Sequence, residues 1–396
     1  MAPPGRRPTV VLLPGHDARA RAGHPWIFRA DIARIDGDPE DGEEVAVRAT
    51  SGRHLGIGLL STRSLITVRL FTSEDRPLDE AFFANRLSRA VAWRAQLAAA
   101  GDACRLVYSE ADFLPGLIVD RYADVLVLQT LTLGMDRRKA MLVRLLSGAL
   151  RPRGIFARND PAVRRLEGLP RETGWLAGEG ATEVEIAEGR ALFLVNVAHG
   201  QKTGFFLDQR ENRERVAEMA TGAHVLDCFA YTGAWGIQAA LRGAASVTGL
   251  EISGAAVAQA AQHAERNGCA DRCRWLHENA FDGLRRLVTE GSRFDLVILD
   301  PPAFVKSRAA LAGGLAGYKE INLRALKALR PNGWLVTCSC SYHVDESQLL
   351  AVVHDAARDA RRRIRIAESR SQARDHPVHP AVPETRYLKC LIVAVE

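Results

Sequence analysis

The chain has 396 residues, 47% of them hydrophobic and 25% charged, so it exceeds one ordinary domain and can fill two or three buried cores. That excludes a disordered chain, and a net charge of +6 carried mostly by Arg favours a polyanionic partner without naming one. No stretch approaches the roughly 18 uncharged apolar residues of a membrane span, and MAPPGRRPTVVLLPGHDARAR lacks an apolar signal-peptide core, so we expect a cytoplasmic protein without a membrane partner. The 7 cysteines, odd in number and without repeated spacing, read as reduced thiols.

From Val10 to Phe71, short apolar runs alternate with Gly, Asp and Pro, as in VAVRATSGRHLGIGLLSTRSLITVRLF. The pattern predicts short strands and tight turns forming a small β-barrel over residues 8–74. Helical spacing of Phe82, Phe83, Leu87, Val91 and Leu97 then predicts a helix over Leu78–Ala99, between Pro77 and Gly101. The strand-like runs LIVDRYADVLVLQTL and TEVEIAEGRALFLVNV surround a helix at Arg137–Leu150, which predicts a mixed α/β middle domain over residues 75–196. Over residues 197–396 the strands HVLDCF, SVTGLEI, RWLH and FDLVILD alternate with helices such as Gly254–Asn267. Such alternation predicts a parallel sheet with helices on both faces.

The first of these strands runs into Asp227-Cys-Phe-Ala-Tyr-Thr-Gly-Ala-Trp-Gly236. A glycine-bearing turn at the carboxyl end of a strand, opening a helix, suits a nucleotide-type ligand, with free N–H groups at the helix start and close backbone approach at Gly233. Such a turn alone is weak evidence, because glycine also serves packing. The second strand ends in Glu251, where a carboxylate can accept from both hydroxyls of a ribose, although a strand-end Glu is also an ordinary surface residue. The third is followed by Glu278-Asn279-Ala-Phe281, in which Asn279 suits an adenine amino group or a plain turn. The fourth ends in Asp300-Pro301-Pro302-Ala303-Phe304, whose prolines hold Asp300 in a rigid turn at the sheet edge. The turn lacks the G-x-G-x-x-G of dinucleotide enzymes. Together DCFAYTG, the acid Glu251, DPPAFVKS and the later SCS resemble the class I methyltransferase fold.

After Pro331-Asn332-Gly333 the strand WLVTCSCSYHV carries Cys338 and Cys340. A buried strand can use Cys as a small hydrophobe, but neighbouring parallel strands bring their carboxyl ends together, so these thiols are expected beside Asp300. Cytosine C5 is a poor nucleophile until a thiolate adds to C6, and a cysteine next to a methyl donor meets that need. Strand alternation does not choose between them, since residues two apart share a face.

Other stretches widen the resemblance. GHPWIF and GLLSTRSLITVRL, YSEADFLPGLIVDRYADVLVLQ, HGQKTGFFLDQRENR and DHPVHPAVPETRYLKCLIV are similar to the bacterial 23S ribosomal RNA 5-methylcytosine methyltransferases that carry an N-terminal PUA domain. This resemblance covers nearly the whole chain. It implies an α/β protein with an N-terminal PUA-like β-barrel, a mixed α/β middle domain and a C-terminal Rossmann-like class I methyltransferase sheet. It implies S-adenosylmethionine as cofactor, 23S ribosomal RNA as partner, Cys340 as nucleophile and Asp300 as the group hydrogen-bonding the cytosine ring. It further implies a cofactor site built from Lys202, Thr203, Phe205, Asp227, Phe229, Tyr231, Thr232, Gly233, Glu251, Asn279 and Asp300, with Asp208 also available as a helix N-cap. Asn279 stands where the family often has an acid, and Trp235 where smaller residues are common. No metal is expected: His263, Cys269 and Cys273 have no fourth ligand spaced with them. The rival readings are methylation of an exocyclic amine on guanine or adenine, and an inactive RNA-binding ribosome-assembly protein. The sequence leaves the oligomeric state open, a homodimer included.

Overall fold

The computed structural model describes residues 7–97 and 102–396. Its strands and helices divide into two compact units: Met1–Ile186 with Val195–Leu207 and Arg374–Thr385, and Ala187–Leu194 with Asp208–Ala373 and Arg386–Glu396. Among the described residues no helix is long and apolar enough to cross a membrane.

The first unit holds two sheets. Strands β1 (Thr9–Leu12), β2 (Trp26–Phe28), β3 (Ile32–Asp36), β4 (Glu44–Arg48), β5 (His54–Leu60) and β6 (Ile66–Thr72) form one in the order β2-β6-β5-β4-β1-β3, with helix α1 (Ala18–Arg21) after β1. Helix α2 (Glu80–Ala95) starts where the Asp79 carboxylate accepts the Phe82 N–H at 2.8 Å. It ends at Ala95, with Gln96 as its C-cap, short of the expected Leu78–Ala99, of which residues 98 and 99 lie outside the described residues. Strands β7 (Ala103–Tyr108), β8 (Leu117–Tyr122), β9 (Val125–Thr130), β10 (Gly154–Asn159) and β11 (Glu172–Gly178) follow in the order β11-β10-β9-β8-β7. The expected Arg137–Leu150 helix is two pieces, α3 (Leu133–Arg137) and α4 (Lys139–Leu150).

One apolar cluster runs through both sheets, joining Ile57, Leu59 and Phe71 to Phe82 and Phe83 of α2 and to Leu106, Val119 and Leu128. The barrel-like and middle segments therefore share a core, which local strand patterning cannot reveal. At the far side of that core, Arg105 forms a fork with buried Asp120, at 2.8 Å from both Nε and Nη2. Asp120 also accepts the Thr203 hydroxyl at 2.6 Å, and Thr203 accepts from Tyr122, whose oxygen receives the Phe205 N–H at 3.1 Å. The segment 203–205 is thus tied to the middle sheet by side-chain bonds.

The hairpin of β12 (Glu183–Glu188) and β13 (Ala191–Asn196) runs across the chain division between the units. In the second unit, helix α5 (Arg210–Ala217) precedes β14 (His224–Cys228), α6 (Ala234–Leu241), β15 (Ser246–Glu251), α7 (Gly254–Arg266), β16 (Cys273–His277), α8 (Ala280–Thr289), β17 (Phe294–Leu299), α9 (Leu311–Ala328), β18 (Leu329–Ser339), α10 (Glu346–Ala360), β19 (Ile364–Arg370) and β20 (Lys389–Val395). The sheet order is β16-β15-β14-β17-β18-β20-β19. Strands β14 to β18 are parallel, while β20 enters antiparallel between β18 and β19. Helices α6 and α7 pack against β14–β16, and α8 and α9 against β15, β17 and β18.

The parallel register decides where chemistry can occur. Cys228 pairs with Leu250 and Leu299, and Leu299 with Thr337, so the residues following these positions collect at one edge. An open α/β sheet binds its ligands there.

Replacing Asp120 by Ala removes the carboxylate of the Arg105 fork and the Thr203 acceptor; differential scanning calorimetry should record a loss of about 3 kcal/mol, the scale of a broken buried pair.

Candidate active site at the strand ends

The turn after β14 is built around an indole. Phe229, Tyr231 and Gly233 take left-handed φ values of 63°, 49° and 81°, so the backbone folds sharply before α6. A Cβ at Gly233, Gly236 or Gly249 would come within 2.7, 3.0 or 2.2 Å of the Trp275 ring. These glycines are therefore required first by packing on Trp275, a residue the sequence reading did not single out. Thr232 is buried, and its carbonyl accepts from His263 Nδ1 at 3.0 Å while His263 Nε2 accepts the Leu194 N–H. His263 thereby serves as a neutral structural bridge.

Three carboxylates converge beside this turn. Asp227 is fully buried; its Oδ2 accepts the Gly236 N–H at 3.0 Å, and its Oδ1 has no hydrogen-bond partner. Burial, reinforced by Asp300 and Glu251, pushes the Asp227 carboxyl up to about 8. Glu251 accepts from the N–H groups of Tyr231 and Ser253, both at 2.8 Å, which orients it at the end of β15. Asp300 receives the Gln209 side-chain N–H on Oδ1 and the Trp235 indole N–H on Oδ2, each at 3.0 Å. Asn212 donates to Gln209 Oε1 at 2.7 Å, which turns the NH2 end of Gln209 toward Asp300. Trp235, left without a role by the sequence, is one of the donors that fix this acid.

Phe229, Phe281 and Phe304 form an aromatic wall with ring centroids 5.7 to 6.3 Å apart. Asn279 is exposed and caps α8 by accepting the Phe281 N–H at 2.9 Å. The capping role leaves its amide nitrogen available at the same edge.

The two cysteines part company in space. Cys338 lies inside β18, fully buried and paired with Cys390 of β20, and burial raises its thiol well above the ordinary value. Cys340 sits just past the strand end and is partly exposed. Its neighbours Ser339 and Ser341 are buried and both bond the Tyr318 hydroxyl, at 2.9 and 3.0 Å, while Ser341 Oγ also accepts the Val305 N–H at 3.2 Å. That last bond ties the thiol-bearing turn to the segment following Asp300. The Lys389 ammonium donates to the Ser341 and Tyr387 carbonyls, both at 2.8 Å. Burial lowers it to about 8, while the nearby Cys340 favours its charged form. Tyr318 and Lys389 belong to this site, and no local motif marked either one.

Lys202, Thr203 and Phe205 fall in the first unit. Thr203 and Phe205 are buried in the Asp120–Tyr122 network, and Lys202 lies 4.7 Å over the Phe206 ring. Asp208 does not cap α5, whose N-cap is Gln209; it accepts the Tyr387 hydroxyl instead.

An acid-tipped parallel sheet with an antiparallel insertion between its last strands defines a class I methyltransferase. Residues 168–393 match the family model for S-adenosylmethionine-dependent methyltransferases, and residues 10–73 match a PUA-like domain. The chain is 40% identical to ribosomal RNA large subunit methyltransferase I of Aeromonas salmonicida, covering 97% of this chain and 98% of that protein. It is 41% identical to the protein of that name from Shewanella amazonensis, covering 98% and 99%. The fold is shared with a methyltransferase solved in complex with SAH, at TM-score 0.85 and 19% identity over 98% of this chain and 99% of that one. It is likewise shared with a Streptococcus mutans methyltransferase, at TM-score 0.83 and 20% identity over the same shares. The chain therefore belongs to the ribosomal RNA large subunit methyltransferase I family within the S-adenosylmethionine-dependent methyltransferases.

The residues present fit that cofactor. Its ammonium and sulfonium cations suit an unpaired Asp227 oxygen flanked by two further acids, and its adenine suits the phenylalanine wall.

Three outcomes follow from this geometry. Iodoacetamide should label Cys340 at least about tenfold faster than Cys338, and Lys389→Met should raise the pH midpoint of Cys340 labelling by removing a cation that favours the thiolate; peptide mass spectrometry reads both. Asp227, raised in the folded state, contributes stability that is present below about pH 4 and lost as pH climbs through about 8. Urea titrations of the ligand-free protein should show that decline, and Asp227→Asn should flatten it.

Proposed function

We propose that this chain methylates C5 of a cytosine in large-subunit (23S) ribosomal RNA through a covalent adduct between Cys340 and cytosine C6. The observation that carries the reading is the setting of Cys340: a partly exposed thiol past the end of β18, flanked by two anchored serines and tied through Ser341 to the Asp300 turn. Whole-length similarity to ribosomal RNA large subunit methyltransferases I supports the choice of RNA, and the PUA-like domain supports an RNA-binding role for the first unit.

The cofactor, when bound, supplies the methyl group. Asp227, Phe229, Tyr231, Thr232, Gly233, Glu251, Asn279 and Asp300 form the proposed cofactor set. The burial of Thr203 and Phe205 in the first unit gives those residues a structural occupation. With Lys389 favouring its charged form, the Cys340 thiolate adds to C6 of an unstacked cytosine, and the C5–C6 electron pair moves to C5, which takes the methyl group. A base then removes the C5 proton, the C6–S bond breaks and the thiolate returns.

Asp300 already holds one donor on each oxygen. A carboxylate has about four lone-pair sites, so it can still accept the exocyclic amino N–H of cytosine and orient the ring toward the thiol. With Gln209 and Trp235 among its donors, the carboxylate is a positioned acceptor for the cytosine.

The test is methylation of ribosomal RNA from a strain lacking this protein. Cys340→Ser should fall by about three orders of magnitude or more, Cys338→Ser should stay near wild type, and only the wild-type gene should restore the missing 5-methylcytosine. Full activity in Cys340→Ser would sink the covalent route and favour methylation of an exocyclic amine.

A further inference from the structure

The first unit contains a cleft of about 440 Å³ whose walls come from three parts of the chain. One wall is the turn after α1 with the edge of β6, at His24, Pro25 and Thr72; the second is Arg86 of α2; the third joins Phe113 to His379. Most of the lining is ordinary, and Phe113 is not.

Phe113 is 49% exposed and adopts φ 59° at the end of the 3-10 turn Ser109–Asp112. A bulky residue in the left-handed region is strained, and such strain persists where the surroundings impose it. Here Phe113 N–H donates to the Glu110 carbonyl at 3.1 Å, Leu114 N–H to the Ser109 carbonyl at 3.0 Å, and Gly116 N–H to Ser109 Oγ at 2.7 Å. The turn is over-determined, and it holds a large apolar ring out toward solvent.

The ring is also framed. His379 meets it edge-on at 5.0 Å between centroids, and the Arg86 guanidinium lies 5.2 Å from its centre. His379 is itself fixed, since its N–H donates to Thr385 Oγ1 at 2.9 Å and its Nδ1 accepts the Ala381 N–H. Arg86 is half-buried; its side chain donates to the Phe71 carbonyl and stacks on Phe82 and Phe113. The charges nearest it are Arg89 and Arg76, offset by Glu74. A guanidinium beside an exposed aromatic is matched by a ligand that carries a flat ring and, one sugar's length away, an anion.

We propose that this cleft takes one unstacked nucleotide of single-stranded RNA, its base stacked on Phe113 and its phosphate on Arg86. Single-stranded RNA is read in this way, by bases splayed onto aromatic faces with arginine at the backbone. Glu74 and Glu110 also line the cleft, with Arg86 as its guanidinium, so the pairing of an exposed ring with a guanidinium, and not net charge, selects a nucleotide over an apolar peptide, and the volume falls in the range of small-ligand sites. The cleft would grip RNA flanking the target rather than the methylated base. The inference rests on the reading that this chain acts on RNA.

Binding is measured by fluorescence anisotropy of the full-length protein with a labelled single-stranded RNA of about a dozen nucleotides. Phe113→Ala should weaken binding at least about fivefold, the lower end for loss of one stacked base. Phe113→Trp should retain it. Arg86→Gln should weaken binding and lower the salt slope by about one ion. Phe113→Gly relieves the left-handed strain, so it should lose affinity while keeping its melting temperature, which separates the loss from unfolding. Wild-type affinity in both Phe113→Ala and Phe113→Gly overturns the cleft and leaves the methylation reading standing. A wild-type protein that binds no RNA, or a 4-thiouridine crosslink that never reaches the peptides carrying Phe113 or His379, overturns it as well; loss of methylation in Cys340→Ser is read independently of both.

Discussion

Asp300 is held at both oxygens by neutral N–H donors, Gln209 on one side and Trp235 on the other, and the catalytic half of the chain is arranged around that clamp. The acid sits at the end of β17, next to β14 on one side and β18 on the other. Gln209 is set by Asn212, which in turn accepts from Arg370 at 2.9 Å. A chain of side-chain bonds thus runs from β19 to the acid. These two donors orient the carboxylate at the edge of the sheet.

The same principle governs the thiol. A cysteine just past a strand end has no ladder to hold it. Here Ser339 and Ser341 are the anchors, Tyr318 is the post to which both are tied, and Lys389 fastens the Ser341 carbonyl. The S-C-S pattern then has a physical meaning beyond its central atom. Cys338 shows the contrast: the same element, two residues earlier, is buried against Cys390 and kept neutral.

Trp275 gives the cofactor turn its shape. Three glycines separated in sequence, Gly233, Gly236 and Gly249, all face its ring, and the buried Asp227 is presented by the helix start that this packing allows. In the first unit a comparable role falls to Asp120, which gathers Arg105 and Thr203. Asp120 is fully buried and Trp275 half-buried, and several segments close around each.

Much of this protein was legible in its sequence. Strand and helix periodicity marked the doubly wound sheet, and DCFAYTG, Glu251, DPPAF and S-C-S marked the ends of its parallel strands, because glycine turns, prolines and strand-end acids are local signals. Family resemblance distinguished Cys340 from Cys338, which alternation alone could not do. The tertiary structure decided the rest. It placed Trp235 and Gln209 on Asp300, Tyr318 and Lys389 around Cys340, and Trp275 under the glycines, and it tied Thr203 and Phe205 into the first unit. It also joined part of the first segment to the second through a shared apolar cluster, beside a barrel core of its own around Val10, Leu12 and Val47, and gave Asp208 to Tyr387 in place of a helix cap. Each of these depends on side chains brought together from distant parts of the chain, and such pairings leave no local periodicity to read; a motif records which residues the chemistry needs, while packing and long-range hydrogen bonds determine which of them are held, and by what.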